Sequence, residues 1–313
     1  MSRPTIPSPG PHGGDGARVA AALGLDAGAV LDLSLSLNPY PPDVSALAGR
    51  HVGALRRYPD VDAAEAVVAD AVGVAAGRLV LTAGGSQAIA LVAATLGAGW
   101  VEEPDFSLYR RHLRRLDPAA PRWRSDPHNP SGRLAAAAEV AGVWDEAFLA
   151  LSAGVWTRGR AGWALGSFTK AFACPGLRLG YAVAPDPATA DALRGRRPAW
   201  AVPSLACAVL PDLLARADPA GWMAGIARAR SELVSVLAGH GLDPLPSDAP
   251  WVLVPGTAGL RDALALRAVV VRDCASFGLP DHVRIAVPDA AGLERLDAAL
   301  ARALASGQEG QRS

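Results

Sequence analysis

Residues 166–181, "GSFTKAFACPGLRLGY", contain two cationic side chains in an otherwise apolar, glycine-punctuated segment. They are Lys170 and, eight residues later, Arg178. A lysine in such a place has two interpretations. Its stem could lie along apolar surface with the ammonium group in water, or its amine could be desolvated and react as a nucleophile with a carbonyl compound. The second interpretation requires matching groups elsewhere in the chain.

A candidate anion site follows the apolar stretch "LVLTAG" at residues 79–84. The next residues begin a predicted helix, so the backbone N–H groups of Gly85, Ser86 and Gln87 are expected to point toward an anion such as phosphate. Many strand–helix turns have a similar composition and bind no ligand. The segment is not a Walker A loop, because Lys and Ser/Thr are absent from the required places.

Three further side chains could contribute to a ligand site. Phe106, after "WVEEPD", offers a flat face that could stack on a heteroaromatic ring, although a core phenylalanine is the ordinary interpretation. Asn129 in "HNPSG" is typical of a turn. Asp145 ends the apolar stretch "VWD". It is either a helix cap or a buried carboxylate that needs a cationic partner.

Together these groups match the requirements of pyridoxal 5′-phosphate (PLP). The aldehyde of PLP reacts with a lysine amine, and its phosphate group requires amides, hydroxyl groups and an arginine. Its ring nitrogen requires an acid that keeps it protonated, so that the ring can accept electrons. The sequence therefore predicts PLP as the cofactor.

The motifs "GGSQ", "EPDF", "NPSG", "DEAF" and "SFTKAFACPGLRLGY" resemble, in order and spacing, the class I and II aminotransferase superfamily of fold type I. The resemblance covers nearly the whole chain. It implies that Lys170 forms a Schiff base with the cofactor aldehyde and that Asp145 pairs with the ring nitrogen. It also implies that Asn129 hydrogen-bonds the ring oxygen and that Phe106 stacks on the ring. The residues implied at the cofactor phosphate are Gly85, Ser86, Gln87, Ser167, Thr169 and Arg178.

Two more segments extend the resemblance. "RYPD" is similar to the family segment whose tyrosine reaches the cofactor phosphate of the neighbouring subunit, so Tyr58 implies a homodimer with composite active sites. "VRIAV" resembles the C-terminal carboxylate clamp, which implies that Arg284 binds the substrate α-carboxylate through two hydrogen bonds. The alternative for Arg284 is an exposed arginine on the polar face of a strand.

Other motifs indicate a branch of the superfamily. "HGGD" with His12, "SLSLNPYPP" with Asn38, and "VRDCASFGL" resemble the threonine-phosphate decarboxylases of cobalamin biosynthesis, which implies that His12 and Asn38 contact the substrate. The related histidinol-phosphate aminotransferases usually carry a tyrosine that helps to hold the ring oxygen where this chain has Phe148. That departure favours the decarboxylase branch.

Three functions remain open at the level of sequence. The first is a lyase reaction, the decarboxylation of L-threonine O-3-phosphate. The second is transamination of a phosphorylated amino acid, as in the histidinol-phosphate type, and the two differ in which bond of the substrate Cα breaks. The third is a non-catalytic binding protein on the same fold. The joint presence of Lys170, Asp145, Asn129 and Arg178 argues against the third.

The composition favours an enzyme that acts on small molecules. The 313 residues include 30 basic and 30 acidic ones, so no net field attracts nucleic acid or a membrane surface. Three cysteines without a CxxC motif argue against disulfides and against a zinc site, and predict a cytoplasmic protein. We expect neither a secretory signal nor a membrane span, since the longest nearly apolar run has 14 residues.

Strands that alternate with helices predict an α/β fold with a mostly parallel sheet and helices on both faces. The resemblance to fold type I implies that this sheet is of the seven-stranded type. Ligands of such sheets bind at the carboxyl ends of the strands. Beyond about residue 205, a long amphipathic helix and short strands predict a smaller α+β domain. The expected domains are an N-terminal arm over 1–30 that packs with the small domain, a large PLP-binding domain over 31–205 and a small domain over 206–313.

The chain is compact between its motifs. Only 12 residues separate Gly132 from Asp145, and the segment from Phe106 to Asn129 is also short. The family usually has room for a fuller helix and strand there. We expect the cofactor site to be intact and the walls that face the substrate to be altered.

Overall fold

A computed structural model describes residues 4–310 of the chain, with side chains described as far as residue 305. Residues 1–3 of the predicted arm and residues 311–313 of the predicted small domain lie outside the described residues. The chain divides into two compact units. Unit 1 contains the chain up to Pro39, residues 130–133 and the chain from Gly225 onward, and unit 2 contains residues 40–129 and 134–224. The predicted domain boundaries, after residues 30 and 205, stay predictions.

The bounds of the strands and helices in the described chain are as follows. The strands are β1 (Leu31–Leu33), β2 (Leu79–Ala83), β3 (Ala98–Val101), β4 (Arg115–Leu116), β5 (Arg122–Ser125), β6 (Val143–Asp145), β7 (Trp163–Ser167), β8 (Leu179–Val183), β9 (Trp251–Val254), β10 (Val269–Asp273) and β11 (Val283–Ala286). The α-helices are α1 (Gly16–Leu23), α2 (Val44–Arg50), α3 (Val61–Val72), α4 (Gly85–Leu96), α5 (Leu108–His112), α6 (Leu149–Ser152), α7 (Phe168–Ala171), α8 (Pro187–Arg196), α9 (Ser204–Leu214), α10 (Pro219–Gly239), α11 (Leu260–Ala265) and α12 (Ala290–Gly310). Short 3₁₀ helices lie at Ala27–Ala29, Val52–Arg56, Ala76–Arg78 and Ala275–Phe277.

Unit 2 is built on a seven-stranded sheet with the order β2-β8-β7-β6-β5-β3-β4. The neighbours from β7 through β6, β5 and β3 to β4 are parallel. Strand β8 is antiparallel to both β2 and β7, so β2 runs in the same direction as β7. The predicted α/β fold with a mostly parallel seven-stranded sheet is therefore confirmed.

The centre of this sheet is buried on both faces, as continuous apolar strands require. Every residue of β8 is buried, and so are the first four residues of β2. Helix α4 covers one face with Ile89, Val92 and Ala93, each at most 2% exposed. It joins the same hydrophobic cluster as Trp123 of β5. This packing fixes the ends of the central strands, which carry the candidate site.

The connection from β5 to β6 contains no helix in the described chain. An ion pair holds this connection: the buried carboxylate of Asp126 contacts Arg160 at 2.8 Å and accepts the backbone N–H of Ala135 at 2.8 Å. The Arg160 guanidinium lies 4.0 Å from the ring centroid of Trp144. The guanidinium group thus packs on the face of a tryptophan of β6.

Unit 1 contains a four-stranded sheet with the order β1-β10-β11-β9. Strand β1 is parallel to β10, and the other neighbours are antiparallel. The predicted apolar face of α10 is buried, since Ile226, Leu233 and Leu237 have no exposed surface. Among residues 4–310, no helix combines the length and the apolar character needed to cross a membrane.

Candidate active site

Five strands of unit 2 end at one edge of its sheet. These strands, β2, β3, β5, β6 and β7, run in one direction together with the short edge strand β4, so their carboxyl ends share this edge, and the antiparallel strand β8 begins there. Ligands of α/β sheets bind at such an edge. The predicted cofactor residues that follow these strand ends, or precede β8, are Gly85, Ser86, Gln87, Phe106, Asn129, Asp145, Ser167, Thr169, Lys170 and Arg178.

The turn between β2 and α4 lies against the Arg178 side chain. A Cβ atom on Gly84 would lie 2.6 Å from Nη2 of Arg178, and Gly84 has a φ of +80°, so only glycine is accommodated. A Cβ atom on Gly180 would likewise lie 2.5 Å from the carbonyl carbon of Gly84. The Cβ atom of Ser167, at the end of β7, lies 3.5 Å from the position that a Cβ atom on Gly85 would occupy. The guanidinium group of Arg178, the side chain of Ser167 and the N-terminus of α4 therefore lie close together. Such an arrangement can bind a phosphate group.

Gln87 supports this turn through its own hydrogen bonds. Its side-chain oxygen accepts the backbone N–H of Ala83 at 2.8 Å, and its backbone N–H donates to the carbonyl of Gly84 at 3.2 Å. The predicted contact between Gln87 and the cofactor phosphate stays a prediction.

The hydroxyl oxygen of Thr169 is buried and has no hydrogen-bond partner in the described chain. Leaving a buried hydroxyl group without a partner costs about 1–3 kcal/mol. Thr169 lies one residue before Lys170, at the sheet edge where Ser167 also ends β7. A ligand that accepts a hydrogen bond from Thr169 would remove this penalty.

Lys170 is the only lysine in the 313 residues. It lies in the single-turn helix α7, directly after β7, and its side chain is partly buried. Its Nζ atom is 5.6 Å from the ring centroid of Phe148. Phe148 follows Asp145 by three residues, so the amine lies beside the segment that ends β6.

Asp145 ends β6 with its carboxyl group held from two sides. The hydroxyl group of Tyr109 donates to Oδ2 at 2.8 Å, and the backbone N–H of Ala147 donates to Oδ1 at 3.1 Å. Burial raises the pKa of Asp145 to about 6, and the negative charge of Asp105 acts in the same direction. The two hydrogen bonds oppose this shift because they stabilise the carboxylate. Such a group retains its charge at neutral pH and can pair with a cationic ring nitrogen.

Sequence reasoning missed three residues around this carboxylate. Asp105 is 2% exposed, and burial raises its pKa to about 6. Ser125 binds Asp105 through its hydroxyl group at 2.5 Å, and Tyr109 contacts Asp145. The ring of Phe106 packs against the edge of Tyr109, with 5.7 Å between ring centroids. The available signal was the position of Asp105 and Ser125 at or after strand ends, the same signal that pointed to Asp145.

The other predicted site residues do not belong to the strand ends of this sheet. Tyr58 belongs to unit 2, between a 3₁₀ helix and α3, and is 75% exposed. His12, Asn38 and Arg284 belong to unit 1. His12 is exposed, whereas Asn38 is buried. Their contacts with the substrate stay predictions.

Arg284 is 6% exposed, so its alternative interpretation as an exposed arginine is wrong. Its guanidinium lies 4.7 Å from the ring centroid of Trp251 on β9. Arg272 of β10 pairs in register with Arg284 of β11 and is also buried, at 4%. Burial and then the charge of Arg272 lower the pKa of Arg284 to about 10. Sequence reasoning missed Arg272, although it belongs to the branch motif "VRDCASFGL".

Comparison with known proteins identifies the family. The model of the family "Aminotransferase class I and II" matches residues 125–302. A threonine-phosphate decarboxylase from a Sinorhizobium species is 31% identical, over 96% of this chain and 99% of the relative. This chain belongs to the class I and II aminotransferase family. The predicted superfamily is thereby confirmed.

This chain is also similar to two histidinol-phosphate aminotransferases. The enzyme from Halobacterium salinarum is 37% identical over 145 residues, which cover 44% of this chain and 37% of the relative. The solved structure of the enzyme from Sinorhizobium meliloti, in complex with pyridoxal-5′-phosphate, has a TM-score of 0.80 and 19% identity, over 96% of each chain. The second likeness concerns the fold alone.

As a member of this family the protein is an enzyme whose cofactor is PLP. The residues at the sheet edge fit that group. The buried Thr169 hydroxyl group lacks a partner in the described chain, the turn at Gly84 lies against an arginine, and the Asp145 carboxylate is held in place by donors. The individual contacts between these residues and PLP stay predictions.

Proposed function

We propose that this enzyme decarboxylates L-threonine O-3-phosphate, a reaction that belongs to cobalamin biosynthesis. The observation that carries the proposal is the pair of buried guanidinium groups on adjacent strands, Arg272 and Arg284. Two buried positive charges on adjacent strands attract anionic groups. Arg272 itself donates to the carbonyl oxygens of Gly10 and Pro11 and to the hydroxyl group of Ser276. Threonine phosphate brings two anionic groups, a carboxylate and a phosphate. Histidinol phosphate brings only a phosphate.

Two further observations support the decarboxylase. The relative that matches nearly the full length of the chain carries that name, whereas the histidinol-phosphate aminotransferase from Halobacterium salinarum matches less than half of the chain. The residue beside Lys170 is Phe148, where histidinol-phosphate aminotransferases usually carry a tyrosine. Its ring has no hydroxyl group that could hydrogen-bond the cofactor. The Asn129 side chain would then be the main donor to the ring oxygen.

The chain's own residues would hold and orient the cofactor as follows. Phe106 would stack on the ring, and the carboxylate of Asp145 would keep the ring nitrogen protonated. Arg178, with Ser167 and Thr169, binds the phosphate group. When bound, the cofactor supplies an aldehyde for amino groups and a ring that accepts the electron pair released at the substrate Cα.

Lys170 would move protons at the substrate Cα. In the decarboxylase reaction the bond between Cα and the carboxylate breaks, CO₂ leaves, and a proton is delivered to Cα. In an aminotransferase the same amine would remove a proton from Cα instead. Arg284, which holds the carboxylate in this proposal, would determine which bond is oriented for cleavage.

The proposal is tested by incubating the purified, PLP-loaded protein with L-threonine O-3-phosphate, with and without 2-oxoglutarate as an amino acceptor. We expect release of CO₂ and formation of an aminopropanol phosphate at equal rates in both mixtures. L-Threonine, which lacks the phosphate group, and L-histidinol phosphate are the matched control substrates. Turnover that requires the acceptor, or turnover of histidinol phosphate alone, would identify an aminotransferase instead.

We also propose that the enzyme is a homodimer that joins two copies through the surface around Tyr58. The Tyr58 ring lies 4.6 Å from the ring of Trp200, between centroids, and the two side chains are 75% and 61% exposed. Tyr58 and the partly exposed Val67 line the same groove. Exposed, contiguous apolar surface of this kind is typical of protein interfaces.

A cytoplasmic location is proposed as well. Its support is the state of the three cysteines, Cys174, Cys207 and Cys274, which are free and buried. Burial raises the pKa of each thiol to about 11, so the thiols are unreactive. Free cysteines are typical of proteins in a reducing compartment.

A further inference from the structure

Tyr109 is held rigidly beside the carboxyl group of Asp145. Its side chain has no exposed surface. The ring packs against Phe106, with 5.7 Å between centroids, and against Trp123, with 5.4 Å between centroids. Its hydroxyl group donates to Oδ2 of Asp145 at 2.8 Å. With aromatic rings on both sides and no water access, the hydroxyl group has little freedom to leave this carboxylate.

The surroundings of Asp145 otherwise oppose its charge. Burial disfavours the carboxylate, and Asp105 adds a second negative charge. Asp105 is held by donors of its own, the Ser125 hydroxyl and backbone N–H groups, and by the charge of Arg124. The groups that favour a charged Asp145 are the backbone N–H of Ala147 and the Tyr109 hydroxyl group. Of these two, only the hydroxyl group belongs to a side chain.

We propose that Tyr109 is a positioning residue whose hydroxyl group keeps Asp145 in its carboxylate form and in one orientation. The inference deepens the proposed function, because it rests on the role of Asp145 toward the ring nitrogen of the cofactor. A neutral Asp145 would be a weaker partner for a protonated ring nitrogen, and an unrestrained one could turn away from it.

Tyr109 is suited to this role because it remains a donor over the whole working range of pH. Burial, and then the charges of Asp145 and Asp105, raise its pKa well above the ordinary value of 10. A hydrogen bond from a neutral donor to a carboxylate stabilises the charged form without adding a charge of its own. A lysine or arginine in the same place would instead compete with the ring nitrogen for Asp145.

The first test uses the protein without cofactor. The infrared carbonyl band of protonated carboxyl groups is titrated with pH, and the contribution of Asp145 is assigned as the part lost in Asp145→Asn. In Tyr109→Phe, which keeps the ring, we expect the midpoint for Asp145 to rise by about one to two pH units, the effect of losing a hydrogen bond to a charged group. An unchanged midpoint in folded Tyr109→Phe would overturn the proposal.

The matched control is Tyr181→Phe. Tyr181 lies on β8 of the same sheet and is 2% exposed, but its hydroxyl group donates to the carbonyl of Trp156 at 3.2 Å instead of to a carboxylate. We expect this variant to leave the Asp145 midpoint in place. An equal shift in both variants would indicate a general effect of losing a buried hydroxyl group and would contradict a specific role for Tyr109.

If Tyr109→Phe does not fold, the test uses the Tyr181→Phe protein instead, with 3-fluorotyrosine incorporated in place of its tyrosines. The other tyrosines, Tyr40 and Tyr58, are 42% and 75% exposed, so the fluorinated residue would be buried at position 109 alone. Fluorination makes the hydroxyl group a stronger donor, so the Asp145 midpoint should fall. A midpoint that does not move, or that rises, would overturn the proposal.

The second test adds PLP and follows the absorbance of the bound cofactor against pH. In Tyr109→Phe we expect the cofactor to bind, because its phosphate contacts are unchanged, and the transition linked to the ring nitrogen to shift relative to the unmodified protein. Failure of the unmodified protein to bind PLP would overturn the proposed function and leave the result of the cofactor-free titration standing. The two proposals therefore fail separately.

Discussion

Ser125 donates two hydrogen bonds to the carboxylate of Asp105, one from its backbone N–H at 3.1 Å and one from its hydroxyl group at 2.5 Å. Asp105 also accepts the backbone N–H of Phe106 at 2.7 Å. The hydroxyl oxygen of Ser125 in turn accepts the backbone N–H of Asn129 at 2.8 Å. The pair therefore ties the loop that carries Phe106 to the turn that carries Asn129, two residues predicted to contact the cofactor ring.

Replacement of Ser125 by alanine should destabilise the protein by about 1.5–3 kcal/mol, since a buried carboxylate loses a donor. Urea unfolding of the cofactor-free protein measures the effect. Ser152→Ala is the matched control, because this buried hydroxyl group donates only to the carbonyl of Phe148 within its own helix. We expect less than about 1 kcal/mol for the control. Equal losses in the two variants would contradict a special role for the Ser125–Asp105 pair.

The buried carboxyl groups of Asp105 and Asp145 should make the stability of the cofactor-free protein fall as pH rises. Both pKa values are raised by burial from 3.8 to about 6, so the folded state binds more protons than the unfolded state between these values. Each group contributes on the order of 2–3 kcal/mol to the free energy of unfolding. This contribution is complete below pH 4 and is lost as pH rises through 6.

The measurement is the free energy of unfolding between pH 4 and 7, in the original protein and in Asp145→Asn. The difference in the free energy of unfolding between the two proteins should change between pH 4 and 7 and become constant at higher pH. Asp186→Asn is a control for which we expect the opposite dependence of stability on pH. Hydrogen bonds from Thr189 lower the pKa of Asp186, the exposed N-cap residue of α8. A pH-independent difference for Asp145→Asn would show that its carboxyl group titrates normally.

The strand-end residues could be predicted from sequence because each follows a short apolar run with its own turn signal. Gly85, Asp145 and Lys170 lie where the ends of β2, β6 and β7 were expected. The sequence does not specify which strands become neighbours. The place of β8 between β2 and β7, antiparallel to both, depends on contacts between distant segments.

The residues that sequence reasoning missed act through long-range contacts. Tyr109 lies in a helix of five residues, too short for a periodic pattern, and its partner Asp145 is 36 residues away. Ser125 and Asp105 are separated by 20 residues. Alternation along β11 was compatible with an exposed Arg284, yet every residue of that strand is buried. Local patterns carry no information about such contacts.

Removal of Lys170 should abolish covalent attachment of the cofactor. Because Lys170 is the only lysine, the chain offers no other ε-amino group. Borohydride reduction of the PLP-loaded protein should leave one label for each chain at position 170, detected by peptide mass spectrometry. Lys170→Ala and the charge-retaining Lys170→Arg should both fold and carry no side-chain label. Label at the N-terminal amine alone in the original protein would contradict the assignment.

Replacement of Trp200 by serine should weaken the proposed dimer, because it removes half of the exposed aromatic pair formed with Tyr58. Analytical ultracentrifugation at several concentrations should show a larger monomer fraction for this variant. Trp100→Ser is the matched control, since Trp100 is 37% exposed on β3 and packs with Arg122. If both variants sediment like the original dimer, this surface is not the interface. If the original protein is a monomer, the homodimer proposal itself is wrong.

Replacement of Arg284 by lysine tests the substrate class. Lysine retains the positive charge but cannot form the two-pronged hydrogen bond with a carboxylate that a guanidinium group provides. Binding of L-threonine O-3-phosphate should weaken by about 1–3 kcal/mol, the range for one charge-assisted hydrogen bond. The absorbance of the bound cofactor should not change, because its predicted contacts lie in unit 2.

Arg230→Lys is the control variant, in which a partly buried arginine outside the predicted site is replaced. Arg230 belongs to unit 1, and its guanidinium donates to the carbonyl of Ala249 at 2.9 Å. That bond supports a loop, so its loss should lower stability without changing substrate affinity. The apparent dissociation constants of both variants are measured by titrating the cofactor absorbance with substrate. Equal affinities in Arg284→Lys and the original protein would contradict the carboxylate contact and remove the main argument for an α-amino acid substrate.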